Sequence, residues 1–252
     1  FAQHRQYVPG DDLRHLDWRV YGRSERLYIR QYEEECNLRL HILLDASGSM
    51  LYAAEQMSKY LYAARLAAAL SYVTVQQQDS VGPTVFNSRD RVHFPARSGL
   101  AHLRQLANCL AEFTAEDEGD IAANIHLQAE GIQRRALIVI ISDLYDDPEK
   151  LRTALAHLRR RKHDVIIYHV LDQAEVDFPF RDLGNFEDME SGERLITNPR
   201  DIRRAYQDLF ADFLNHMRAV ASSLDIDYSL VTTDTEFIPL VRQHLNQRMR
   251  LA

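Results

Sequence analysis

The chain has 252 residues, of which 46% are hydrophobic and 27% charged, with 9 Gly and 7 Pro. That composition excludes a fibrous or disordered polymer and leaves enough apolar side chains for one large core or two small ones. Thirty Lys and Arg against 37 Asp and Glu leave a net charge of −7, which argues against a broad nucleic-acid footprint, because phosphate binding needs a concentrated positive surface.

The first 37 residues read as a β extension. Pro9 and Gly10 mark a turn, Leu16, Trp18 and Val20 fall on one face, and Leu27 with Ile29 fall on one face after a polar turn, a hairpin pattern. Trp18 is expected to be buried, with Asp11, Asp12, Arg14, Asp17 and Arg19 pinning the hairpin through charge-assisted hydrogen bonds. Cys36 and Cys109 fit no zinc or CxxC spacing and read as reduced thiols in a cytoplasmic setting.

From residue 38 strands and helices alternate. "LRLHILLD" (38–45) reads as a buried strand, and the segment that follows as a long helix with Met57, Leu61, Ala64 and Ala68 along one stripe. That helix contains the nearest approach to a membrane span, residues 61–75, but Arg65 interrupts it well short of roughly 18 apolar residues. "SVGPTVFN" and "RVHF" read as short strands, and "GLAHLRQLANCLAEF" and "DIAANIHLQAEGI" as helices. "RALIVIISD" and "DVIIYHVLD" are β-branched apolar runs of central parallel strands, separated by a helix from Pro148 to Arg161. That helix ends in the basic run Arg159 to Lys162, where cations complement the helix dipole. Residues 172–198 break the alternation as an acidic insert with a hairpin about "ESGE". A helix from Pro199 to Ser223, the strand "IDYSLVTT" and a last helix ending near Arg248 follow.

The pattern predicts an α/β fold, doubly wound, with a mostly parallel central sheet, helices on both faces and ligands at the carboxyl ends of the strands. The predicted domains are residues 1–37 and 38–252, the second carrying the 172–198 insert. The sequence starts at Phe1, and what precedes it stays open.

Two strand ends carry acids, Asp45 and Asp143. Ser47 stands where a nucleophilic aspartate of the D-x-D type would have its second acid, and no G-x-S-x-G, P-loop or H-E-x-x-H occurs. What remains is D-x-S-x-S. In a loop leaving a strand, Asp45, Ser47 and Ser49 can turn toward one point and offer three oxygens to a hard cation, Mg2+ or Mn2+ rather than zinc. The alternative is that the serines cap the following helix. Asp143 could hold a metal-bound water, and the acidic stretch Glu116 to Asp120 could frame the same crevice. The eleven histidines show no ligand spacing, and His41 reads as a core or edge residue.

"LDASGSM" with "ISD" resembles the metal-ion-dependent adhesion site of von Willebrand factor A-like domains. "YVPGDDLRHLDWRVYGRSERLYIRQYEEE", with later pieces about Phe186, Tyr206 and Ile226, is similar to the bacterial domain-of-unknown-function family number fifty-eight, in which such an extension precedes such a domain. The resemblance implies a metal site with Asp45, Ser47 and Ser49 as direct ligands and Asp143 acting through water. It also implies a MoxR-type AAA+ ATPase, or its client, as protein partner in a chaperone-like or regulatory role. One departure is visible: Gly119 stands where the pattern has a threonine ligand, so either water or Asp120 completes the site or the site has lost its metal.

The primary expectation is therefore a non-enzymatic, cytoplasmic interaction module with no nucleic acid, membrane or small-molecule substrate. Its rivals are a metal-dependent hydrolase using Asp45 and Asp143, and a metal-free scaffold binding through the 172–198 insert.

Overall fold

The computed structural model of the protein describes residues 3–8, 16–24, 26–31, 38–55, 57–116, 119–190 and 192–242. The Pro9–Gly10 turn, Asp11, Asp12, Arg14, Cys36, Asp117, Glu118 and the end of the last helix lie outside these residues. Backbone contacts divide the chain into two units, residues 1–37 and 38–252.

In the first unit, β1 (Gln3–Gln6) pairs antiparallel with β2 (Tyr28–Gln31). The segment expected to form the first hairpin strand is instead α1 (Trp18–Ser24). The Asp17 carboxylate accepts the Arg19 and Val20 N–H groups at 3.0 and 3.2 Å, an N-terminal cap that outweighs the apolar alternation. Trp18, expected in a core, is 66% exposed and meets the Tyr21 ring edge-on.

The second unit carries β3 (Arg39–Asp45), β4 (Ser80–Phe86), β5 (Arg91–His93), β6 (Leu137–Ser142), β7 (Asp164–Leu171), β8 (Gly184–Glu187), β9 (Arg194–Thr197) and β10 (Asp227–Thr232). Six of these form one sheet in the order β10-β7-β6-β3-β4-β5, parallel except for the β4–β5 pair. β8 and β9 form a separate antiparallel hairpin inside the 172–198 insert.

Its helices are α2 (Lys59–Gln76), α3 (Leu100–Glu112), α4 (Ile121–Gly131), α5 (Pro148–Arg160), α6 (Gln173–Asp177) and α7 (Pro199–Ser223). β6 is buried along its whole length, as a central strand covered on both faces must be. Alternation along β3 then sorts the core. Leu40, Ile42 and Leu44 pack with α2 and α3, whereas Leu43 packs with α4, α5 and α7. Each such side chain contributes on the order of 1.5–3 kcal/mol of burial.

α2 starts later than the sequence pattern suggests, because the Ser58 side chain accepts the Leu61 N–H and sets its first turn. Of the expected stripe, Ala64 is buried and Met57 and Ala68 pack half-buried against the core, but Leu61 does not face it. Lys59, Tyr62, Ala63, Leu66 and Leu70 face inward, while Leu61 is exposed. The basic run at the end of α5 is structural: Arg159 pairs with Asp164 and Asp225 and donates to the Leu224 carbonyl, and Arg161 donates to Ala129 and Glu130 carbonyls.

His41, on β3, is buried and contacts Gln128 through Nδ1. Burial, with repulsion from His93, His163 and Arg39, lowers its pKa from 6.5 to about 4. The unfolded chain thus takes up the proton first. The contribution of neutral His41 is complete above pH 6.5 and is lost as pH falls toward 4. A His41→Gln variant is expected to lose this dependence, so the parent-minus-variant difference in urea unfolding free energy should fall by about 1 kcal/mol per pH unit between pH 6 and 4.5. A difference that is flat with pH would contradict the assignment.

Candidate functional site

At the carboxyl end of β3 the chain leaves the sheet through Asp45, Ala46 and Ser47 into a 3-10 turn, Gly48–Leu51. Asp45 and Ser47 are buried and Ser49 is half-buried. The Asp45 carboxylate accepts the Ser47 N–H at 2.9 Å and the Ser142 hydroxyl at 2.6 Å. Ser47 precedes the turn, but its side chain makes no capping hydrogen bond. Its hydroxyl instead lies 3.1 Å from that of Ser49. Local geometry has turned both serines toward each other rather than toward a helix end.

Asp143, at the end of neighbouring β6, is equally buried, and one of its oxygens accepts the Lys59 ammonium at 2.8 Å. The same ammonium reaches Glu175 of α6 at 2.7 Å. Burial would push the Lys59 pKa down, but Asp143 and Glu175 overcome this and hold it above its ordinary value. Glu175 is raised by its own burial and pulled back by Lys59. Burial first, and the nearby Asp143 charge second, push the Asp45 pKa up to about 7. The ammonium is shared by buried Asp143 and half-buried Glu175, and buried Asp45 lies near Asp143, so the crevice carries excess negative charge that only a further cation or a proton would balance.

Gly119 lies directly over this loop: a Cβ built there would stand 2.9 Å from the Ser47 Cβ and 3.6 Å from an Asp45 carboxylate oxygen. The Glu116 N–H donates to the Ala46 carbonyl of the same loop as Ser47. The Asp120 side chain is exposed and caps α4, accepting the Ala123 N–H at 2.8 Å. Asp45, Ser47, Ser49 and Asp143 thus sit at two adjacent strand ends, and Asp120 is committed to a helix terminus. Glu190, in the turn joining β8 to β9, brings its carboxylate to Ser49, whose hydrogen bonds oppose the rise in pKa caused by burial.

The fit of these donors to a cation can be judged from distances. Two oxygens bound side by side on octahedral Mg2+ at about 2.1 Å lie about 3 Å apart, which matches the Ser47–Ser49 hydroxyl separation of 3.1 Å. Among the described residues no group of three or more His, Cys, Asp and Glu converges as metal ligands. A set of one or two carboxylates with hydroxyls suits a hard cation alone.

Lys59, Glu175 and Ser142 are parts of the site that motif spacing did not single out. Their signal was faint: Lys59 lies on the apolar stripe at i, i+3, i+7 and i+11 with Tyr62, Leu66 and Leu70, where a solvated lysine has no place.

Among the described residues no helix is long and apolar enough to cross a membrane. In sequence, the chain is 29% identical over 215 residues to "Uncharacterized protein Rv1480" of Mycobacterium tuberculosis, which covers 83% of this chain and 66% of that protein. The same identity and coverage hold for "Uncharacterized protein Mb1516" of Mycobacterium bovis. The chain therefore spans 66% of the length of these relatives.

In structure, it is similar to an aerotolerance-related membrane protein from Bacteroides fragilis, with a TM-score of 0.59 at 20% identity, covering 85% of this chain and all of that one. The hypothetical protein BatB from Bacteroides thetaiotaomicron gives a TM-score of 0.58 at 19% identity over 84% and 99%. These likenesses show the fold, a mostly parallel sheet between helices. With residues 3–214 matching the family described as "Protein of unknown function DUF58", the chain belongs to that family.

Proposed function

We propose that this protein is a non-enzymatic interaction module whose crevice at Asp45, Ser47, Ser49 and Asp143 holds Mg2+ or Mn2+ and uses it to dock an acidic group of a partner protein. The observation that carries this reading is the Ser47–Ser49 hydroxyl pair set against a buried, charge-rich carboxylate cluster. Asp45, Ser47 and Ser49 would hold the ion, with Asp143, oriented by Lys59, acting through water. When bound, the ion supplies an electrophile with open positions for a partner carboxylate.

The chain's own groups favour docking over turnover. Each Asp45 oxygen accepts one hydrogen bond and keeps a lone pair for an ion, and one Asp143 oxygen is paired with an ammonium, so both carboxylates are held fixed at the strand ends. The partner in this proposal is a MoxR-type AAA+ ATPase or its client, met in the cytoplasm in a chaperone-like or regulatory role.

Titration calorimetry with Mg2+ tests the site, and capture of a purified MoxR-type ATPase in Mg2+ or EDTA tests the partner. Ser47→Ala is expected to weaken Mg2+ binding by about tenfold or more, equivalent to about 1.4 kcal/mol, and to abolish capture. No heat with the parent protein, or unchanged heat in Ser47→Ala, removes the metal. Capture that persists in EDTA removes metal-bridged docking.

A further inference from the structure

About 20 Å along β3 from Asp45, at the other end of the strand, lies a cleft of about 620 Å³ between the sheet edge and α4. Its charged and titratable lining is Arg39, His41, Arg91, His93 and Arg134, and among the described residues no Asp or Glu borders it. Acids outnumber bases along the chain by 37 to 30, so a lining of bases alone among the described residues is a local arrangement. Arg39, Arg91 and Arg134 form no ion pair among the described residues. Like charges gathered without a counterion among the described residues repel one another, which weighs against burial and favours an outside anion.

The floor of the cleft is pre-organised. Buried Gln128 of α4 accepts the Arg91 guanidinium at 3.1 Å and the Thr84 hydroxyl at 3.4 Å, and it contacts His41 at 3.3 Å. The Thr84 hydroxyl in turn meets His93 Nδ1 at 2.8 Å. Side-chain alternation explains the convergence: Arg39 and His41 on β3 and Thr84 on β4 share the α4 face with Leu43 and Phe86, and β5 brings Arg91 and His93 opposite Phe86 and Thr84. Repulsion within the cluster also shows in the His93 pKa, lowered by burial and by Arg91.

We infer that this cleft binds a small organic phosphate. Guanidinium groups offer forked donors that match phosphate oxygens, and the volume lies in the range of small-molecule sites, roughly 300–1,000 Å³. Leu127, Ile132 and Pro95 line the same cleft and give the organic part an apolar wall. The site is separate from the cation crevice and does not rest on it.

Calorimetry of the full chain with inorganic pyrophosphate and with adenosine 5′-diphosphate, in EDTA so that no divalent ion contributes, tests the inference. Saturable one-to-one binding of either probe is expected, weakened about tenfold or more in an Arg39→Gln/Arg91→Gln variant, and unchanged in Arg200→Gln, an exposed arginine of α7. Should the double variant fail to fold, Arg134→Gln, at an exposed position outside helices and strands, serves the same comparison. Absence of saturable heat for both probes, or equal affinity in a folded cleft variant and the parent, overturns the proposal.

Discussion

Lys59→Met is expected to destabilise the second unit by about 3–5 kcal/mol, because it leaves Asp143 and Glu175 without the charge that makes their burial tolerable. The ammonium is wholly buried, 2.8 Å from one carboxylate and 2.7 Å from the other. The rings of Tyr145 and Tyr52 lie 5.3 and 6.0 Å from it and add cation–π attraction. Methionine keeps much of the volume, so loss of charge dominates over loss of packing.

Urea unfolding should show a lower midpoint with an unchanged slope, and the melting temperature should drop by about 10 °C. A triple variant, Lys59→Met with Asp143→Asn and Glu175→Gln, should recover much of the loss, since neutral amides need no counterion. A loss below about 1 kcal/mol in Lys59→Met would mean that the two carboxylates take up protons at little cost. The ion pair would then not be what holds α2 to the strand end.

Lys59 also shows where sequence reading stops. β6 and β7 were legible because central strands buried on both faces use continuous β-branched runs, a signal contained in the segment itself. Asp45, Ser47 and Ser49 were legible for the same reason, as their spacing is local and the strand end that aims them is adjacent in the chain. The Lys59 partners are 84 and 116 residues away, and no periodicity reports a contact of that kind. An isolated lysine at the start of a helix passes for a solvated charge.

α1 failed differently. Leu16, Trp18 and Val20 alternate as in a strand, but a single side-chain cap from Asp17 satisfies two N–H groups and settles the segment as helix. Short elements are decided by one or two such hydrogen bonds, whereas long ones average over many residues.

The position opposite Ser47 leads to the second large effect. Gly119→Ala is expected to cost about 1–3 kcal/mol and to weaken Mg2+ binding about tenfold or more. The added Cβ would stand 2.9 Å from the Ser47 Cβ and 3.4 Å from its hydroxyl, closer than packed carbons allow. Neither side can give way easily. Ser47 is buried and its N–H is held by Asp45, while Gly119 directly precedes Asp120, whose side chain caps α4. The strain should therefore rotate or displace the Ser47 hydroxyl, the group on which the cation reading depends.

Gly119→Thr, which would supply the hydroxyl that the adhesion-site pattern has at this point, meets the same obstacle with two more heavy atoms. It should bind Mg2+ no better than Gly119→Ala. Calorimetry alongside urea unfolding separates the outcomes, since lost affinity with lost stability is the steric result. A Gly119→Thr protein that stays as stable as the parent and binds Mg2+ more tightly would show instead that the loop can recede. In that case the glycine would be a missing ligand rather than a close approach required by Ser47.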